Sequence, residues 1–239
     1  MRRFSHMPIT AMHCQFITYP NPIPYVDALA LQYALAEQLG RGEISDTLLL
    51  LEHPPTITLG RRADSSDLKT SEAALKERGF AVERVDRGGE ITYHAPGQLI
   101  GYPILDLRRH GQDLHKYLRD LEEVLIQTVG VYGLIGERAA GRTGVWVGDE
   151  KIAAIGIKVS RWISLHGFAL NISNDLRPFR EDFVPCGIAD RGVTSLTEQL
   201  GSACPNRAAV KAVVVEKFAE VFGFTQMAAY SRNPGERLM

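Results

Sequence analysis

The stretch Val145-Trp-Val-Gly-Asp-Glu-Lys-Ile-Ala-Ala-Ile-Gly-Ile-Lys-Val159, followed by Trp162-Ile-Ser-Leu-His-Gly-Phe-Ala-Leu-Asn-Ile172, decides the fold class. Gly148-Asp-Glu150 reads as a hairpin turn between two apolar, β-rich runs, and Trp162 to Ile172 reads as the next strand. Hairpins make antiparallel neighbours. Working upstream, strands are read at Leu99 to Leu107, Ile91 to Tyr93, Phe80 to Val85, Thr56 to Leu59 and Asp46 to Leu51. Asp86-Arg-Gly-Gly89 and His94-Ala-Pro-Gly97 are the turns between them, and Pro54-Pro55 stops the first of these strands. Helical spacing appears at Val26, Leu29, Ala30, Tyr33, Ala34 and Leu35 up to Gly40, after a segment kept extended by Pro20, Pro22 and Pro24. A short helix spans Ser71 to Arg78, capped by Ser71 or Thr70 and stopped by Gly79. Asp113 opens a long helix with Leu114, Tyr117, Leu118, Leu121, Val124, Leu125 and Val129 along one stripe. Ser195-Leu-Thr-Glu198 is a capping box, and Asn206 caps a last helix that ends near Phe222. Hairpin-paired strands mixed with separated helices imply an α/β (α+β) chain built on a mixed sheet, since a doubly wound parallel sheet would alternate strand and helix more evenly. No linker interrupts the composition, so residues 1–239 are read as one domain; the break at Gly136 and Gly141 is where a boundary would fall.

The 239 residues are 45% hydrophobic and 23% charged, an ordinary globular mixture. Lys+Arg number 27 and Asp+Glu 28, so the net charge of −1 gives no support to a large nucleic-acid interface. The cysteines are Cys14, Cys186 and Cys204: an odd number without a C-x-x-C pair, which argues against a disulfide framework or a structural zinc site. A reducing cytoplasm fits best. The longest apolar runs, Thr47 to Leu51 and Ile152 to Ile157, fall far short of a membrane span. Arg2 and Arg3 are followed by His6, Pro8, Thr10 and His13, which break any signal-peptide core, and Met7 is an alternative start.

Chemistry concentrates in Arg87 to His94, Lys151 to Gly156, His166 to Asn171 and Pro185-Cys-Gly187. Gly88-Gly89 serves either as a plain turn or as backbone that a ligand approaches closely. Neither G-x-x-x-x-G-K-[ST] nor G-x-G-x-x-G occurs, so nothing marks a phosphate cradle. Most cysteines are inert core residues, and Cys14 and Cys204 are read so. Cys186 sits in a loop between Pro185 and Gly187, where a neighbouring cation would hold it as thiolate. His94, His166, Lys151 and Lys158 are all candidates for that neighbour, and residue type alone leaves the choice open.

Five stretches in order resemble one family, the lipoyl(octanoyl) transferases: Leu51-Glu-His-Pro-Pro-Thr-Ile-Thr-Leu-Gly60, Arg87-Gly-Gly-Glu-Ile-Thr-Tyr-His-Ala-Pro-Gly-Gln98, Gly148-Asp-Glu-Lys-Ile-Ala-Ala-Ile-Gly156, Leu165-His-Gly-Phe-Ala-Leu-Asn171, and Asp175-Leu-x-Pro-Phe179 followed by Pro185-Cys-Gly187. The resemblance covers about residues 25–200. It implies the fold of biotin and lipoate protein ligase catalytic domains, a mixed central sheet with flanking helices and a smaller side sheet. It implies that an octanoyl or lipoyl group passes from acyl carrier protein to a cysteine thioester, then to a lysine of lipoyl domains of 2-oxoacid dehydrogenase E2 subunits and of glycine cleavage H protein. The acyl-carrying residue would be Cys186 and its partner Lys151, with Lys158 set aside because relatives often carry arginine there. Substrate contacts would come from Arg87, Gly88, Gly89, Glu90, Ile91, Thr92, Tyr93 and His94, from Ala154, Ile155 and Gly156, and from Gly167, Phe168 and Ala169. No cofactor or metal is implied beyond the phosphopantetheine arm that delivers the acyl group, and neither nucleic acid nor membrane is a partner.

Small residues at those positions suit a slot for an apolar chain. Ala95 replaces the family's usual glycine after the histidine, which raises the question of where the turn takes its positive φ. Because carrier protein is acidic, Arg61, Arg62, Arg87 and Arg161, with Lys158, are candidates for a basic rim. The alternatives are an ATP-dependent lipoate or biotin ligase, which would form an adenylate and not need Cys186, a non-catalytic acyl-binding protein, and a thioester hydrolase.

Overall fold

The computed structural model describes residues 12–64, 67–183 and 192–230. Nine of the described strands form one mixed sheet. Along it lie β12 (Gln226–Tyr230), β1 (His13–Thr18), β2 (Asp46–Leu51), β6 (Gln98–Ile104), β10 (Ile163–Asn171), β9 (Glu150–Ser160), β8 (Arg142–Val147) and β7 (Gly136–Ala139), in that order. The two-residue strand β11 (Gly192–Val193) pairs alongside β9. β1 is parallel to both β12 and β2, and the pairs from β2 to β7 are antiparallel. A separate small sheet holds β4 (Ala81–Arg84), β3 (Thr56–Leu59) and β5 (Ile91–His94). The mixed sheet and hairpins expected from the sequence pattern, and the side sheet that the family resemblance implies, are therefore present.

The unbroken apolar run of β2 has a direct cause. Leu48 and Leu50 face a core shared with α3 (Leu114–Val131) and α6 (Arg207–Phe222) through Leu121, Val124, Val210 and Phe218. Leu49 and Leu51 face the other core, made with α1 (Tyr25–Gly40) through Ala28, Leu31 and Leu35. A strand buried on both faces cannot show polar alternation. A third core joins the small sheet to α2 (Glu72–Glu77) and α4 (Arg177–Glu181) through Ile57, Leu75, Tyr93, Phe179 and Phe183.

The caps read from sequence are made: Ser71 Oγ accepts from Ala74 N, Asp113 from His115 N and Lys116 N, Ser195 from Glu198 N and Asn206 from Ala209 N. Three expectations change. β1 and β12 complete the sheet edge, although the sequence pattern marks no strand in either segment. The strand expected over Leu99 to Leu107 ends at Ile104, because the Asp106 carboxylate accepts from Arg108 N and starts a 3-10 turn over Leu107–His110. Gly136 and Gly141 mark no break in the structure: they belong to the β7–β8 hairpin, which continues the large sheet.

Candidate active site

The loop after β4 docks back onto the large sheet. Gly88 N donates to Ile157 O of β9 at 2.9 Å, so Asp86 to Glu90 cross over the β9–β10 hairpin. Arg87 holds that loop in shape. Its guanidinium donates to Thr58 O and Oγ1 (both 2.8 Å from Nη2), to Glu90 O at 2.9 Å and to Gly88 O at 3.0 Å. It is buried, 6% exposed, and so is no part of an exposed basic rim; Arg61, Arg62 and Arg161 are exposed as expected of such a rim. Lys158 is engaged by the Asp86 carboxylate and the Tyr33 hydroxyl.

Between this loop and the sheet lies a cavity of about 350 Å³. Its walls include Arg87, Gly88, Gly89, Glu90, Ile91, Thr92, His94, Lys151, Ala154, Ile155, Gly156, Gly167, Phe168 and Ala169. Three separate sequence segments thus meet at one place. Tyr93 does not join them. On β5 it points to the third core, where its ring meets Phe80 at 5.7 Å and Phe179 at 5.4 Å. A strand sends successive side chains to opposite faces, so a run of eight contacts could not hold for every residue. Cys186 lies outside the described residues. The chain resumes at β11, where Val193 pairs with Lys151 and Thr194 N donates to Lys151 O at 3.0 Å.

Lys151 itself is 9% exposed. In the β8–β9 pairing Trp146 faces Lys151 while Val145 faces Ala153, so β9 carries one extra residue there. Such a bulge re-aims side chains, here at the strand position that brings Lys151 into the cavity wall. The turn after His94 takes its positive φ at Gly97 (88°) rather than at Ala95, which is buried with ordinary φ. The substitution of alanine at 95 is therefore free of backbone strain.

Tyr25 and Tyr102 lie in no motif, and His53, Gln98 and Asn171 lie in the family-like stretches without being picked for the site, yet Tyr25, Gln98, Tyr102 and Asn171 line one side of the cavity and His53 packs against Tyr25 behind it. Tyr25 stacks on His94 with ring centroids 5.8 Å apart, and His53 meets His94 edge-on at 5.5 Å. His53 is buried, which pushes its imidazole down to about 4, while its Nδ1 donates to Ile23 O at 2.6 Å. Burial, with the neighbouring His53, holds His94 well below the usual imidazole range. Burial also lowers His166, which sits at φ 58° and contacts the Asp86 carboxylate through Nε2 at 2.9 Å. Burial would raise the Asp86 carboxyl, but hydrogen bonds from Lys158, Tyr33 and His166 outweigh it and keep it ionised. The phenol of Tyr25 is pushed up to about 12, and that of Tyr102 well above its ordinary value, both chiefly by burial. A polar residue inside an apolar strand was the available signal, as at Tyr102, but only the fold brings these five residues together.

Comparison with known proteins matches this frame. Residues 24–219 match the lipoyl protein ligase A/B catalytic domain. Over 209 residues the chain is 52% identical to the octanoyltransferase of Chloroflexus aurantiacus, covering 86% of this chain and 93% of that protein. This chain belongs to the octanoyltransferase family. Another member, from Nostoc punctiforme, is 51% identical over 203 residues, covering 84% of this chain and 85% of that one. Among solved structures, an octanoyltransferase fold of this kind resembles a lipoate protein ligase from T. acidophilum with bound lipoic acid (TM-score 0.75, 16% identity, 94% and 90% of the two chains). It also resembles the biotin protein ligase of Aquifex aeolicus (TM-score 0.52, 14% identity, 87% and 69%). At those identities the likeness is one of fold.

Proposed function

We propose that this octanoyltransferase works by a cysteine thioester, with Cys186 carrying the acyl group and Lys151 serving it. The activity class follows from the family: the chain is an acyltransferase of protein lipoylation. The observation that carries the mechanism is the placement of Lys151, a nearly buried amine in the wall of a cavity lined by Ala154, Ile155, Gly156 and Phe168. A C8 chain needs such apolar, low-bulk walls. Val193, the strand residue paired with Lys151, follows Cys186 closely in sequence, which supports the two acting together.

Octanoyl-acyl carrier protein is the donor in this reading, and the acceptors are lipoyl domains of E2 subunits and glycine cleavage H protein. Two half-reactions result. In the first, the Cys186 thiolate attacks the carrier thioester, a C–S bond forms, and the phosphopantetheine thiolate leaves. The ammonium of Lys151 favours the attacking anion. In the second, the acceptor amine attacks, the bond to Cys186 breaks, and sulfur leaves with the electron pair. As Cys186 is acylated, the Lys151 ammonium gives its proton to the departing phosphopantetheine thiolate; the neutral amine that remains takes the proton released by the attacking nitrogen. The Lys151 ammonium and Cys186 thiolate are thereby restored.

No cofactor takes part beyond the carrier's own arm, and the reaction would run in the cytoplasm. Among the described residues no helix is long and apolar enough to cross a membrane. The test is octanoyl transfer to an apo lipoyl domain in the absence of ATP and Mg²⁺. Full transfer is expected; transfer only when ATP and free octanoate are supplied would assign the chain to ligase chemistry instead.

A further inference from the structure

The cavity runs along the sheet and has two distinct ends. On β10, Asn171, Ala169 and Gly167 are alternate residues, and all three line it. Ala169 pairs with Ala154 of β9, and Gly167 pairs with Gly156. Leu170 pairs with Ala153, so Lys151 lies on β9 at the Asn171 end. A floor of small residues therefore starts beside Lys151 and leads toward Gly156 and Gly167. From Asn171 to Gly167 the strand advances about 14 Å.

Two things stop the slot at the Gly167 end. The loop comes down onto the sheet: Gly88 N donates to Ile157 O at 2.9 Å, and a Cβ on Gly156 would lie 3.0 Å from Gly88 O and 3.2 Å from Arg87 Cδ. On the other side stand Tyr25 and Tyr102, which line the cavity and are only 3% and 4% exposed. Their hydroxyls bond each other, Tyr102 also bonds His53 Nε2 at 2.8 Å, and Tyr25 also bonds His166 Nδ1 at 3.3 Å. This chain of hydrogen bonds fixes both rings, so neither can swing aside to lengthen the slot. Leu165 and Lys158, the next pair along the same two strands, no longer line the cavity.

We propose that Tyr25 and Tyr102 set the longest acyl chain this enzyme accepts, by closing the slot against the chain's methyl end; the direction of the chain rests on Lys151 marking the reacting end, as proposed above. An extended chain advances about 1.25 Å per carbon–carbon bond, so eight carbons span about 9 Å and twelve about 14 Å. Eight carbons leave room for the thioester itself at the Lys151 end. Twelve would fill the whole length and leave none. The acyl group that fits is therefore an unbranched chain of medium length, and the small side chains of Ala154 and Ala169 admit it without width to spare for a branch.

The test uses carrier protein loaded with chains of six, eight, ten and twelve carbons, and reads the rate of transfer to apo lipoyl domain for each. Wild type should favour eight carbons and be slower with twelve by about tenfold or more. Tyr25→Ala takes a ring from the far end and should raise the rate with ten carbons relative to eight by about tenfold. Ala169→Val adds bulk half-way along the floor and should shift the order the other way, raising six carbons relative to eight by about tenfold. Urea midpoints show that each variant is folded; if Tyr25→Ala is not, the milder Tyr25→Leu takes its place. An unchanged order of chain lengths in both folded variants overturns the proposal. So does uniform slowing with every chain, a shift in the same direction in both, or a wild-type protein that takes twelve carbons as fast as eight. Chain length is read in the product and the thioester separately on intact enzyme, so loss of the thioester mechanism is told apart from loss of the length stop.

Discussion

The Lys151 ammonium lies 4.8 Å from the centroid of the Trp146 ring, and the two residues are partners across the β8–β9 pairing. The ring face attracts a cation and, being fully buried, gives it no water. Lys151 is thus held in one place by the same strand pair that forms the cavity wall. Such a position suits a group needed as a cation in one step and as a base in the next.

The first prediction follows from that double demand. Lys151→Arg keeps a positive charge over Trp146 but cannot release a proton at working pH. It should retain measurable acylation of Cys186 and lose transfer to the lipoyl domain by about 100-fold or more, the range of a lost general base. Lys151→Ala should be impaired in both. Intact mass, first with carrier protein alone and then with apo lipoyl domain added, follows the steps separately. Wild-type deacylation in Lys151→Arg would reduce Lys151 to an electrostatic neighbour.

Gly144 gives a second prediction. It sits at φ 132°, its N–H donates to the buried Glu122 carboxylate at 3.2 Å, and an added Cβ would lie 2.6 Å from Ala153 O and 3.2 Å from Lys151 Cε. Gly144→Ala should cost about 2 kcal/mol from strain and overlap. Gly130→Ala is the control: this helical glycine has nothing within 4 Å of its Cβ position, so alanine should stabilise by about 0.5–1 kcal/mol. Urea denaturation of both variants gives the two signs. A neutral Gly144→Ala would show that the β8–β9 wall yields easily.

The buried histidines predict how stability depends on pH. His53 is held at about 4, below its unfolded value near 6.5, so the unfolded chain binds the extra proton first. Its contribution is complete above about pH 6.5 and is lost as pH falls toward 4. Between pH 7 and pH 5 that loss is about 2 kcal/mol. His94 and His166, also lowered by burial, act in the same direction. His53→Gln should lessen the pH 7 to pH 5 loss by about 2 kcal/mol, read by urea midpoints at both pH values. An unchanged loss in the variant would mean that His53 is charged in the folded protein.

Much of the frame was legible because it rests on local signals. Ser71, Asp113, Ser195 and Asn206 announce their helices by capping, and Gly148-Asp-Glu150 announces its hairpin. β12 escaped notice because Gln226–Tyr230 is a mostly exposed edge with no apolar alternation to read. At the site, the Arg87 to His94 and Ala154 to Gly156 segments stood out by their small residues, and the cavity gathers them. Tyr93 and Arg87 show the limit. A motif gives an unbroken run, whereas the strand turns Tyr93 to another core and Thr58 draws the Arg87 guanidinium inward. Tyr25 and Tyr102 were invisible for a different reason: they reach the cavity only because α1 and β6, far apart in the chain, meet there.

The covalent intermediate can be seen by intact mass of the protein after incubation with octanoyl carrier protein, without ATP or lipoyl domain. A single octanoyl adduct is expected, located on Cys186 by peptide mapping, cleaved by hydroxylamine, and absent from Cys186→Ala. A wild-type protein that transfers octanoate while never showing the adduct, or a Cys186→Ala variant that transfers at the wild-type rate, would contradict it.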